Sequence, residues 1–188
     1  MKSIIKITLS LFFVCLIAVG ALATIEYITR DQIYQNNQKD IEKALSVLMP
    51  DCSYSETTDK NGELIQEFNI QNTDSVVRQV FEAQKDNDTI GYIIVLDTKG
   101  YVDKIGLRVG IKADGTVSGI VIGENSETPG LGANISKDSF LNQFNGLNTP
   151  LDVNRIDRIT GATYSSNYVT QGINTAGAFV EVLKGGLK

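Results

Sequence analysis

The chain has 188 residues, 42% of them hydrophobic, with 17 Lys and Arg against 22 Asp and Glu and a formal net charge of −5. That size allows one ordinary domain with its own core, and the acidic balance makes nucleic acid a poor partner. No histidine occurs and the only cysteines are Cys15 and Cys52, which excludes a Ser-His-Asp triad, a His-ligated zinc or haem, and a four-cysteine iron–sulfur cluster built from this chain alone.

Residues 7–25 carry no charge, and as a helix of ~28 Å they match the hydrocarbon thickness of a bilayer. Lys2 and Lys6 precede this run, whereas Glu26, Arg30 and Asp31 follow it. The positive-inside bias therefore places the N-terminus in the cytoplasm and the main body outside. A cleaved signal peptide is the competing reading, because Ala21-Leu22-Ala23 resembles a small-residue cleavage site. The apolar run is longer than a signal core and continues past that site, which favours a transmembrane anchor over residues 1–28. Ile33, Ile41, Leu45 and Leu48 then sit among charges and amides and predict a helical stalk over 29–50, ending before Pro50.

Residues 51–188 are left for one domain. Alternation over 64–70 predicts a strand, the charged Lys85-Asp86-Asn87-Asp88 a turn, and 89–96 a stronger strand. Lys99-Gly100 separates that strand from the next, 101–111, and Ala113-Asp114-Gly115 is a hairpin cue before 117–122. A helix is expected over 136–144, started by Ser136 and closed by Asn145-Gly146, followed by a strand over 155–160. Finally Val169, Ile173, Ala176, Val180 and Leu183 step by four and three, the stripe of a helix that stops at Gly185-Gly186. The fold class is α+β: an antiparallel sheet with flanking helices behind an N-terminal membrane helix and stalk.

Two loops carry the chemistry. Ser126-Glu127-Thr128-Pro129-Gly130-Leu131-Gly132-Ala133 joins a rigid Thr-Pro step to two glycines, the composition of a fixed loop whose backbone can approach a flat ligand. Backbone donors there could meet ring carbonyls, and Glu127 could bias the charge state of a bound ring. Asp157-Arg158-Ile159-Thr160-Gly161-Ala162-Thr163 places a hydroxyl just past a Gly-Ala turn, where the terminal helix begins. Free N–H groups and the positive end of the helix dipole collect at that point, so a phosphodiester beside Thr163 would be stabilised. Arg155 and Arg158 could add positive charge. The plainer alternative is a strand-turn-helix junction in which Thr163 only caps the helix.

The pattern Asp-x-x-Thr-Gly-Ala-Thr, expected by accident in a chain of this length roughly once in a thousand cases, resembles the flavinylation motif of the FMN-binding domain family. The Glu-Thr-Pro-Gly-Leu-Gly loop resembles the family's second hallmark, and Gly91-Tyr92 and Gly100-Tyr101 are similar to its strands. With the anchor and stalk, the whole chain resembles the RnfG family, the G subunits of the Rnf electron-transport complexes. That resemblance implies FMN held covalently as a phosphoester on Thr163, with Asp157, Thr160, Gly161, Ala162, Glu127, Thr128, Gly130, Leu131 and Gly132 around it. It implies a redox component of a ferredoxin:NAD oxidoreductase coupled to sodium or proton transport, which carries electrons rather than turning over a substrate alone. Its partners would be the A, D and E membrane subunits, the B and C peripheral subunits, and a flavin transferase using FAD and magnesium. The related C subunit of the sodium-pumping NADH:quinone oxidoreductase and an extracytoplasmic flavin-binding sensor are the alternatives.

Overall fold

A helix of 47 residues, α1 (Lys2–Leu48), opens the structure. The structure is a computed structural model that describes residues 2–57, 68–69 and 73–185. Long apolar side chains of α1 from Ile4 to Ile28 are exposed, and this helix is long and apolar enough to cross a membrane. The residues expected to form an anchor and those expected to form a stalk belong to one uninterrupted helix. Contacts divide the chain into residues 1–41 and residues 42–188.

The second unit is built on a six-stranded antiparallel sheet: β1 (Ser53–Glu56), β2 (Phe68–Asn69), β3 (Ser75–Lys85), β4 (Asp88–Lys99), β5 (Lys104–Lys112) and β6 (Val117–Asn125). The order is β1-β3-β4-β5-β6, with β2 also paired along β3. Strands β3 to β6 form a meander because their connections are tight. Asp86 and Asn87 turn at positive φ of 52° and 71°, which Asp and Asn tolerate better than most residues. Of the strand expected over 64–70, Phe68 and Asn69 are extended and the rest lies outside the described residues. β3 went unpredicted because its polar residues, Arg78, Gln79, Glu82 and Gln84, interrupt the alternation.

Ile94 and Leu96 of β4 and Ile105, Leu107, Val109 and Ile111 of β5 are fully buried on the face covered by α3 (Thr163–Lys184). The expected helical stripe is confirmed: Val169, Ile173, Ala176 and Val180 are all at 0% exposure, with Leu183 packed at the edge. Gly172 lets the helix come close, since a Cβ there would lie 2.5 Å from Leu107 Cδ1 and 3.3 Å from Thr98 Cβ. Asn174 ties the helix to the preceding chain, accepting from Leu151 N–H at 2.6 Å and donating to Leu151 O at 3.0 Å. Alternation turns Gly110 to the opposite face. There Leu48 approaches, 3.2 Å from a Cβ built at Gly110 and 3.1 Å from one at Gly119.

Three expectations fail, two of them because side chains take hydrogen bonds that a regular element would need. β5 starts at Lys104 and not at Tyr101, because the N–H groups of Tyr101 and Val102 are drawn to Glu127. The segment 155–160 is not a strand. A 3-10 turn, Val153–Arg155, is capped by Asp152, and the residues after it bond to side chains of Gln143 and Ser166. The helix over 136–144 is three short pieces, Gly132–Ser136, α2 (Asp138–Leu141) and Asn142–Phe144. Ser136 ends the first piece, and the N-cap of α2 is Lys137. Ile173→Ala should cost about 2–5 kcal/mol, because it opens a cavity where helix meets sheet. Urea unfolding of the full chain in detergent measures this, and the loss should clearly exceed that from Val182→Ala on the exposed side of α3.

Candidate functional site

Two turns of one type frame the site. Leu131 N–H donates to Thr128 O at 3.1 Å around Pro129 and Gly130, and Gly130 has φ of 78°. A left-handed Gly third, often with Pro second, marks a type II turn. Asn134 holds this loop from below by donating through Nδ2 to Gly130 O at 2.9 Å. Likewise Ala162 N–H donates to Ile159 O at 2.9 Å around Thr160 and Gly161, with Gly161 at φ 79°. A Cβ on Gly161 would be strained, and would also sit 3.2 Å from Leu131 Cδ2, so the two turns touch at this point.

Side chains replace a strand neighbour for the second turn. Asp157 N–H donates to Gln143 Oε1 at 2.9 Å, and Gln143 Nε2 donates to Asp157 O at 3.2 Å. Ile159 N–H donates to Ser166 Oγ at 3.2 Å, while the Ser166 hydroxyl donates to Ala162 O at 2.9 Å. Ser166 is wholly buried. The outcome is a rigid launch into α3, whose N-cap is Ala162 with no side-chain cap. Thr163 is therefore the first helical residue and not the cap. Its side chain is exposed, and the first-turn N–H groups lack intrahelical acceptors.

Glu127, expected to tune a bound ring, ties three parts of the chain together. It is 5% exposed, and its carboxylate accepts from Tyr101 N–H at 2.8 Å, Val102 N–H at 3.1 Å and the Ser165 hydroxyl at 2.6 Å. One carboxylate thereby joins the β4–β5 connection, the Thr-Pro-Gly loop and the first turn of α3. Its charge lies beside the positive end of the α3 dipole, which offsets part of the desolvation. Gly100 and Gly132 are needed around it, since a Cβ on either would collide with the Glu127 side chain.

These parts enclose a cleft of about 350 Å³, within the range of about 300–1,000 Å³ typical of small-molecule sites. Seven of the residues expected at the site line it: Glu127, Thr128, Leu131, Gly132, Gly161, Ala162 and Thr163. Gly130 and Thr160 shape the two turns without lining the cleft, and Asp157 supplies backbone to Gln143. Arg155 pairs with Asp152 at 3.6 Å, and neither it nor Arg158 lines the cleft. Tyr101, Tyr164 and Ser165 also line it. Ser165 was readable in principle as the third residue of a helix. Tyr101 was not, because it looked like a strand position. The residues fit an FMN: a slot lined by Gly132 and Gly161 beside Leu131 and two tyrosines, and an uncapped helix N-terminus for its phosphate. Glu127→Ala should lower Tm by roughly 5–10 °C through loss of charged hydrogen bonds, and Glu127→Gln by about half as much. An unchanged Tm in differential scanning calorimetry would show that the carboxylate does not hold the cleft together.

Comparison with known proteins points the same way. The FMN-binding domain family matches residues 100–178, and the RnfG N-terminal region family matches residues 1–48. The chain is 33% identical to the G subunit of the proton-translocating ferredoxin:NAD(+) oxidoreductase complex of Clostridium ljungdahlii, over 98% of this chain and 96% of that one. It is 28% identical to the G subunit of the Na(+)-translocating ferredoxin:NAD(+) oxidoreductase complex of Acetobacterium woodii, over 92% and 89%. A crystal structure of the C subunit of Na(+)-translocating NADH-quinone reductase from Parabacteroides distasonis superposes with TM-score 0.50 and 25% identity, covering 70% of this chain and 77% of that one. With two motif loops meeting in one cleft and near-complete alignment to such G subunits, this chain belongs to the RnfG family, the G subunits of ion-translocating ferredoxin:NAD(+) oxidoreductase complexes.

Proposed function

We propose that this protein is the electron-carrying G subunit of a membrane-bound ferredoxin:NAD oxidoreductase, with FMN attached as a phosphoester to Thr163. Residues 1–28 serve as the anchor, 29–50 as the stalk and 51–188 as the FMN-binding domain. The observation that carries the reading is the position of Thr163: an exposed hydroxyl on the first residue of α3, opening into the cleft shared with the Thr128–Gly132 loop. The near-full-length relatives are G subunits of ferredoxin:NAD(+) oxidoreductases, which favours that complex over the quinone reductase.

When bound, FMN supplies reversible carriage of one or two electrons. The chain's own residues hold and shield it. First-turn N–H groups of α3 would face the phosphodiester charge, and Gly161 and Ala162 would leave room at the hydroxyl both for the ligand and for the enzyme that attaches it. Attachment requires a separate flavin transferase. The Thr163 Oγ–P bond forms as the pyrophosphate P–O bond of FAD breaks, AMP leaves, and the hydroxyl proton passes to a base of the transferase. Thr163 is then an acceptor and not a catalytic nucleophile of this protein. The covalent link keeps a small soluble flavin from being lost outside the cell.

Protein co-produced with its transferase should gain the mass of one FMN phosphoester and show a fluorescent band on a denaturing gel. Thr163→Val should lose both signals, whereas Thr163→Ser and Thr160→Val should keep them. Persistence of the added mass in Thr163→Val would move the attachment elsewhere and overturn the assignment. For the orientation, a membrane-impermeant maleimide should label Cys52 in intact cells and leave Cys15, within the apolar run, unlabelled. Labelling of Cys52 only after lysis would place the domain in the cytoplasm.

A further inference from the structure

Tyr101 and Tyr164 take no part in holding the phosphate or in shaping the two turns, yet both line the cleft. They come from separate parts of the chain, the β4–β5 connection and the first turn of α3. Their rings face each other with centroids 6.0 Å apart and planes inclined by 33°. That separation lies within the contact range of paired aromatic rings. At 71% and 64% exposure the two rings nonetheless present a broad apolar face to solvent beside Thr163.

Their placement is imposed by the fold. Tyr101 N–H donates to Glu127 Oε1 at 2.8 Å, and Ser165, the neighbour of Tyr164, donates its hydroxyl to Glu127 Oε2 at 2.6 Å. The same buried carboxylate thus fixes the backbone under both rings. Gly100 has no side chain to keep the Tyr101 connection away from that carboxylate. The first turn of α3 would otherwise favour a small or polar side chain at an exposed position such as that of Tyr164. An aromatic pair held open at the rim of a slot sized for a small molecule is suited to a flat, electron-poor ring.

We propose that Tyr101 and Tyr164 form the aromatic platform on which the isoalloxazine ring of Thr163-bound FMN stacks, so that they set its emission and its potential. The inference rests on the attachment of FMN to Thr163. The electron-rich faces of the two phenols disfavour added charge on a stacked ring, which holds the flavin potential below the value it would have without them.

The test uses the full-length protein co-produced with its transferase and purified in detergent. Tyr101→Leu, Tyr164→Leu and the double variant should all keep the covalent FMN mass. Their flavin fluorescence should rise, because a phenol in contact with the ring quenches its emission by electron transfer, and their midpoint potentials should move upward. Tyr101→Phe and Tyr164→Phe keep the stacking surface but have less electron-rich faces, so they should move the potential upward by less than the leucine variants do. Unchanged emission and potential in the fully flavinylated double variant would overturn the platform while leaving the attachment intact. Should the leucine variants fail to incorporate FMN, the unsubstituted protein decides: its flavin should brighten when urea unfolds the domain, and no brightening overturns the platform. Absence of the FMN mass from the unsubstituted protein overturns attachment and platform together.

Discussion

The cleft depends on one buried carboxylate. Glu127 gathers Tyr101, Val102 and Ser165 from stretches of chain that lie far apart in sequence, using two backbone N–H groups and one hydroxyl. A carboxylate taken out of water would be costly without such donors. Here they converge on it together with the positive end of α3. The arrangement constrains Gly100 and Gly132, which must lack a side chain because Glu127 lies where a Cβ would go. The glycine-rich look of the loop thus has two origins. Gly130 and Gly161 meet the backbone demand of a left-handed turn position, whereas Gly100 and Gly132 make room.

A second constraint places Thr163. Packing of α3 against β4 and β5 buries Val169, Ile173, Ala176, Phe179 and Val180 completely, and Gly172 brings the helix axis close to Leu107. The helix is long, so its N-terminus is located by the whole packed stripe and not by the turn alone. Gln143 and Ser166 then fix the approach to it. For the proposed attachment of a cofactor, the Thr163 hydroxyl has a suitable setting: exposed itself, on a first turn anchored by buried neighbours at Ser165 and Ser166. Such rigidity in the supporting side chains is what keeps a site from loosening.

Anchor and cleft answer different solvents. The apolar side chains of α1 from Ile4 to Ile28 lie exposed and suit lipid. The second unit buries its own apolar residues around α3 and leaves a slot at one end of that helix. The last turn of α1 changes role, since Leu45 and Leu48 are buried and Leu48 fills the space over Gly110 and Gly119. Helix α1 therefore carries exposed apolar residues along its first part and core residues at its end. This is why the stalk could be read as helical from its spacing while its end could not be read as core.

What the amino-acid sequence determined by itself is local. An uncharged run of bilayer length, a helical stripe ending at glycine, hairpin signals, and two short motifs each declare their physics within a few residues. From these came the antiparallel α+β class, the membrane helix, Thr163 at a helix start, and seven of the residues that line the cleft. Tertiary structure alone decided which backbone groups would be satisfied by side chains distant in sequence. Glu127 removes Tyr101 and Val102 from β5, and Gln143 and Ser166 turn a predicted strand at 155–160 into a fixed irregular approach. It also decided that Glu127 clamps the site and that Tyr101 meets Tyr164. Such pairings depend on where the sheet and α3 come to rest, and no spacing along the chain encodes that distance.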